Sequence, residues 1–448
     1  MGRRHLGLVV LLVAIVAPVW AQPIPVGDAV SVPVDITANQ RHSGVAVNKN
    51  GVVFIAFENT GKTAAAREQW DLKAVITSDW KTWKEVEIIS RDSEDRDPKA
   101  AADPVTGNFA VTWWQDNEPG ADINADGDDL GEFFRIFTPD GTPVTDAIST
   151  GDDLTPRGAG GQGWGSCAFN PVNGNLYVIN EDWGGGSSGV PSPDGDGDSQ
   201  ILRVFDGKTG AKVAGPVQVN TSWEGDQDDG FIAFAADGSF VAAWRDLNND
   251  VVWYQRLDAN LNKLGTEGFA NVEGPDWYVQ NPDIGSSADG HFVIIYEETR
   301  DMRDGDGRGM YFSLFGPDGS RVKSDVLVND NTTGNQSDGE VAMDSTGRFV
   351  IVWEDSSAID GDDYAVLCRA YNPDGTPIGP EMIVNTITAG RQSNASVEIV
   401  SPTVAAKVGF DFVVSFCDES GNDGDGRGVF ARRFLFQPIT ALADWMLL

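Results

Sequence analysis

Apolar positions along the chain gather in short runs that show no helical stripe. One run recurs, ending in an aromatic and followed two positions later by an acid or amide. Its copies are FIAFEN with Phe57/Asn59, VTWWQD with Trp114/Asp116, YVINED with Asn180/Asp182 and VAAWRD with Trp244/Asp246. VIIYEE with Tyr296/Glu298, VIVWED with Trp353/Asp355 and VVSFCD with Phe416/Asp418 complete the set, at spacings of 52 to 66 residues. Each run has the length of a buried strand, and the period is that of stacked β units.

The copies share an inner order. A glycine turn precedes the run, as in Asn50-Gly51, Asp237-Gly238 and Asp289-Gly290, which marks a hairpin. The seventh copy has a longer loop there instead, roughly 401 to 409. After the run come an Asp/Gly loop, a third strand such as ILRVF or MYFSLF, and a second turn such as Pro317-Asp318-Gly319. A fourth strand follows, as in VLVN (326–329). Four short strands per copy predict an all-β fold, a seven-bladed β-propeller of four-stranded antiparallel blades. The last copy lacks a fourth strand, and VSVPVDIT (30–37) reads as the missing one, so an N-terminal strand is expected to close the ring. The propeller is expected over 22–440, with 441–448 as a tail.

The first residues read as an export signal. Arg3 and Arg4 precede an apolar stretch from Leu6 to Val19, and Val19-Trp20-Ala21 offers a cleavage site, giving a signal peptide over 1–21. That stretch is too short to span a bilayer. A secreted protein, extracellular or periplasmic and without a membrane span, is therefore expected.

Charge narrows the partners. With 68 acidic against 32 basic residues the net charge is −36, a field that repels phosphate backbones and anionic membranes and attracts cations. Nucleic acid is excluded as a partner on this ground. Three cysteines, Cys167, Cys368 and Cys417, are too few for a disulfide scaffold, with one Cys368–Cys417 bridge and two separate thiols both open. Three histidines leave zinc catalysis little to build on.

The repeat resembles the tandem repeats of large secreted bacterial surface proteins. Its best copies are GRFVIVWEDSSAIDGDDYAVLCRAYNPDGTPIGPEMIVNTITAGRQ (347–392) and the stretch 410–434. That resemblance implies a propeller-like, calcium-associated protein at the cell surface. A shorter segment, Thr77-Ser78-Asp79-Trp80-Lys81-Thr82-Trp83, is similar to the sialidase Asp-box but one residue short and without its glycine. Such boxes stabilise turns, so the likeness speaks for a propeller and not for an activity.

Two groups of residues could carry chemistry. Asp-rich loops alternate carboxylates with glycine, a pattern that can turn oxygens onto calcium, which takes six to eight oxygen ligands. The candidate ligands are Asp122, Asn124, Asp126 and Asp128, then Asp194, Asp196 and Asp198, then Asp304 and Asp306, Asp360 and Asp362, and Asp423 and Asp425. The second group opens each copy: Gln40, Arg96, Gln162, Gln227, Gln280, Gln336 and Gln392, expected near the axis and mostly bonded to neighbouring blades. Variable residues follow these positions and form the candidate ligand site: Arg41, His42, Arg96, Lys99, Trp164, Asp228, Asp283, Asp338 and Glu340. Asp229 and Asn394 belong to the same variable set, and Trp164, Trp183, Trp223 and Trp277 are candidate stacking aromatics.

No catalytic motif stands out: there is no H-E-x-x-H or P-loop. Adjacent acids such as Glu354 and Asp355 face opposite sides of a strand. The expectation is a calcium-stabilised binding or structural propeller. Its ligand would be an extracellular carbohydrate, cell-surface polymer or protein, with a polysaccharide hydrolase or lyase as the alternative.

Overall fold

The computed structural model describes residues 22–32, 39–60, 70–90, 94–116, 130–151, 162–183, 197–221, 225–272, 278–299, 303–424 and 426–436. The expected signal (1–21), most of the expected closing strand (33–37) and the tail lie outside these residues. The Asp-rich loop around 122–128, residues Asp194, Asp196 and Asp425, and the aromatics Trp223 and Trp277 lie outside them as well.

The fold is all-β and propeller-like, built from four-stranded antiparallel sheets. Every aromatic run is the second strand of a sheet: Val53–Thr60, Phe109–Asp116, Leu176–Asp182, Phe240–Asp246, Phe292–Glu298, Phe349–Asp355 and Phe412–Asp418. Both faces of these strands are covered, so they read as continuous apolar runs. Four sheets run first to fourth strand in chain order. One eight-stranded sheet holds two such sets, joined by a single parallel pairing of Trp70 with Glu94. In the last sheet Gly428–Leu435 is paired by two N-terminal segments, Ile24 against Leu435 and Val30 against Ala431.

The first strands are Asn39–Val47, Glu94–Ala102, Gln162–Phe169, Gln227–Phe234, Val279–Ser286, Gln336–Met343 and Gln392–Ile399. Each packs beside its neighbour, and the last beside the first. The core lies between successive sheets. One cluster joins Val352, Phe416 and Phe434, and another joins Val53 and Phe57 to Val413 and Ala431.

Three details depart from the sequence reading. The expected loop at 401–409 contains a helix, Pro402–Val408, capped by Ser401 and ended by Gly409 at φ 77°. In the second copy the register pairs Arg96 with Trp114 and Asp95 with Gln115, so Trp113/Gln115, not Trp114/Asp116, matches Phe57/Asn59. In the fifth, Val279 and not Gln280 faces Glu298. The matching opening positions are therefore Gln40, Asp95, Gln162, Gln227, Val279, Gln336 and Gln392.

The thiols Cys368 and Cys417 are separate and buried. Asp79 of the Asp-box-like segment accepts the Lys81 and Thr82 amides at 2.8 Å and organises a turn. Third-strand arginines mostly donate to main-chain carbonyls rather than to motif carboxylates, Arg135 to Ile88 and Arg432 to Val384 among them. No helix among the described residues is long and apolar enough to cross a membrane.

Candidate functional site

Each first strand carries a bulge near its start. The registers skip between Arg41 and Gly44, Arg96 and Lys99, Gly163 and Ser166, and at the matching place in the other four. At every bulge one residue is left-handed: His42 (φ 45°), Asp97 (51°), Trp164 (46°), Asp229 (52°), Asn281 (49°), Asp338 (50°) and Asn394 (50°). Asn, Asp and His tolerate this region, whereas a bulky Trp adopts it at a cost. Small neighbours make the turn fit: a Cβ on Gly165 would stand 2.6 Å from the Glu132 carboxylate.

These bulges converge. All seven left-handed residues line one cavity of about 330 Å³, with Lys99, Phe231, Glu340 and other residues of the same strands completing the wall. Strained backbone of this kind gathers where a surface is built for function.

Buried glutamates hold the ring in place. Glu58, Glu181, Glu297 and Glu354 of the second strands have almost no exposed surface. Each accepts the backbone N–H of the bulge residue of the next unit: Asp97 at 2.9 Å, Asp229 at 3.0 Å, Asp338 at 3.1 Å and Asn394 at 2.7 Å. Glu58 also takes Arg41 Nε and His42 Nδ1 at 2.9 and 2.8 Å. Burial opposes charge on His42, but the Glu58 hydrogen bond and Asp97 outweigh it and raise its pKa. Sequence reasoning missed these glutamates' role; the visible trace was Glu one residue before the motif acid. It also missed Asp97, Asn281 and Phe231 as lining residues.

The opening glutamines are structural. Gln336 and Gln392 accept from Asn329 and Asn385, just past the preceding fourth strand, at 3.0 and 3.1 Å, and donate to Asp355 and Asp418. Gln227 repeats the link with Asn220 at 2.8 Å.

Of the residues expected at the ligand site, His42, Lys99, Trp164, Asp338 and Glu340 line the cavity. Arg41, Arg96, Asp228 and Asp283 do not. Arg41 and Arg96 both lie over Trp70, with guanidinium carbons 3.2 and 4.3 Å from the ring centre. Arg96 also lies 5.4 Å from Trp114, which packs at a tilt against Trp164 at 5.4 Å, which packs at a tilt against Trp183 at 5.2 Å. Trp164 lines the cavity and is 41% exposed. Lys99 crosses the ring to Glu340 at 3.0 Å. Burial disfavours its charge, but Glu340 and Asp283 hold the ammonium protonated.

The acids around the cavity are unusual. Burial, with Glu340 beside it, pushes Asp283 up to about 7, although it accepts the Val341 and Ile284 amides. Burial and Asp229 bring Asp228 to about 7, and burial raises Asp229 against the pull of Arg245 and Lys99. The wall therefore offers carboxyl and amide groups to hydroxyls or cations, and part of an exposed indole to an apolar surface.

The described Asp-rich loops hold the chain together. Asp304 accepts Asn329 at 3.1 Å, and Asp306 accepts the Gly334 amide at 3.2 Å. Asp360 and Asp362 repeat this with Asn385 at 2.7 Å and Gly390 at 3.0 Å. Asp198 and Asp423 lie in the same kind of loop before the third strand. Among the described residues the one group of three acids or histidines whose ligand atoms converge is His42, Glu58 and Asp97.

No family model matches the chain. No curated protein matches it either. Among solved structures, a Dyadobacter fermentans protein of unknown function shares the fold at 12% identity and a TM-score of 0.53, covering 93% of this chain and all of that one. A Hadza microbial sialidase is similar at 10% identity and a TM-score of 0.48, covering 91% of this chain and 68% of that one. The NanB sialidase of Streptococcus pneumoniae follows at 9% identity and 0.46, covering 94% and 71%.

Proposed function

We propose that this is a secreted seven-bladed propeller that binds an extracellular carbohydrate in the cavity ringed by the seven bulges. One observation carries the reading: seven strands, each bent at the same place, deliver seven side chains of four kinds to one cavity that includes a strained, exposed tryptophan. Five of the seven are Asn or Asp, which suit the left-handed bulge, and His42 and Trp164 depart from that pattern. Trp164 suits the apolar face of a sugar ring, and Asp97, Asp229, Asn281, Asp338 and Asn394 suit its hydroxyls. The blade count is supported by the closed order of first strands, and closure by the pairing of Ile24 and Val30 with the last strand. Export is supported by the Arg3–Ala21 pattern.

Calcium belongs to the same reading. Its support is the charge of −36 and the twice-repeated Asp-Gly-Asp loop, which gathers carboxylates at Asp304 and Asp306 and again at Asp360 and Asp362. The melting temperature is expected to be higher in calcium than in chelator. Identical values would remove calcium from the account.

A polysaccharide hydrolase or lyase is the second reading, favoured by the raised carboxyls Asp228 and Asp283 beside the lining acids. A glycan array run with product analysis on every bound glycan separates the two. Binding with no new reducing ends or unsaturated products supports the binding protein, and cleavage supports the enzyme. No glycan bound and none cut would refute both.

A further inference from the structure

The buried glutamate of a second strand meets the bulge residue of its own unit and that of the next. Where the other units with this glutamate have Trp164, Asn281 or Asp338 as their own bulge residue, the first unit has His42. That one change brings a ring nitrogen to two carboxylates. His42 Nδ1 lies 2.8 Å from Glu58 Oε1 and 3.2 Å from Asp97 Oδ1, and the three ligand atoms all fall within 4.8 Å of one another. Atoms that bond one zinc-sized ion at about 2.1 Å stand about 3.0–3.4 Å apart, close to the spacing found here.

The remaining carboxylate oxygens are held from behind. Glu58 Oε2 accepts Arg41 Nε at 2.9 Å, and Asp97 Oδ2 accepts the Trp114 indole N–H at 2.7 Å. Each carboxylate is thereby oriented with its other oxygen toward His42. Donors placed behind the ligands in this way fix the geometry of a metal site. Glu58 is buried, and its Oε1 also accepts the Asp97 amide at 2.9 Å. His42 and Asp97 line the cavity, so an ion bound to them borders it.

We infer that His42, Glu58 and Asp97 form a site for one divalent transition-metal ion of the zinc class, in the wall of the bulge-ringed cavity. Ionised carboxylates only accept hydrogen bonds, so in the ion-free protein Nδ1 carries a proton between them. The ion takes that place and releases the proton to solvent. The imidazole selects such an ion over calcium, which prefers six to eight oxygens. One histidine suffices because two carboxylates complete three protein ligands, the number in zinc sites that keep an open position. Arg41 cancels part of the Glu58 charge, so affinity in the micromolar range is expected. The inference does not rest on the carbohydrate reading.

The test is calorimetric titration of the chelator-stripped full chain with zinc chloride at neutral pH, in millimolar calcium to fill sites built from oxygen alone. The natural protein should take up one zinc ion per chain at micromolar concentration and melt at a higher temperature with it. His42→Asn and Asp97→Asn give the bulge the residue that the fifth and seventh units carry there, Asn281 and Asn394, so both should fold. Each should bind zinc about tenfold or more weakly and lose the melting shift. Zinc binding that is undetectable below millimolar concentration, or unchanged in either variant, overturns the inference.

Discussion

Glu354 shows how one side chain serves two units. It lies on the second strand of the sixth unit, fully buried, and grips the Asn394 amide of the seventh at 2.7 Å and Arg391 at 2.8 Å. Removing it leaves a buried donor unpaired, so Glu354→Ala should cost about 2–3 kcal/mol of stability, measured by denaturant unfolding. Glu354→Gln, which can still accept from the amide, should cost less. Equal stability of all three proteins would show that the bulge holds its shape unaided. The same residue explains part of what the sequence conceals. Its acidity is plain, but the partner is a backbone amide about forty positions away, and nothing in the chain marks that pairing.

The N-terminal segments act on an edge. Gly428–Leu435 would otherwise expose a row of unpaired amides and carbonyls, the template for aggregation. Deleting residues 22–32 should lower the melting temperature and promote association seen by light scattering. A truncated protein that melts like the full chain and stays monodisperse would contradict closure by this strand. Most strands were legible because continuous apolar runs bounded by Gly turns have few other readings. The second copy slipped because two tryptophans stand side by side, and a one-residue slip exchanges the faces: Trp113 is buried and bonds Asp95 at 2.8 Å, whereas Trp114 turns toward Asp97 at 2.7 Å. The helix at Pro402–Val408 was readable from Ser401, Pro402 and Gly409, a capped start and a glycine end. The bulges were not, because an irregular backbone leaves only scattered Asn and Asp before a Gly, Pro or Ala.

For the whole molecule, buried acids set the pH response. Glu132 and Glu398 are raised to about 8, and Glu297, Asp228 and Asp283 to about 7, each chiefly by burial. Between the ordinary carboxylate range and these values the folded protein binds more protons than the unfolded chain, so stability falls as pH rises through that window. Raised His42 acts in the same sense, losing its contribution as pH climbs through its folded pKa. The melting temperature should therefore be higher at pH 5 than at pH 8, and a constant or rising value would refute this assignment of protons. The −36 charge adds self-repulsion in the same direction, and high salt should narrow the difference without abolishing it.

At the centre of the account stands the tryptophan that the third bulge pushes into the shared cavity. Its most direct test is calorimetric binding of the strongest array glycan to the natural protein and to Trp164→Ala. The stacking of this indole contributes about 1–2 kcal/mol to binding, so affinity should drop roughly five- to thirty-fold, and because Trp164 also packs against Trp114 and Trp183 the titration is run below the melting temperature of both proteins. Undiminished affinity in the variant would mean that the glycan binds elsewhere and that the ring of bulges is not the site.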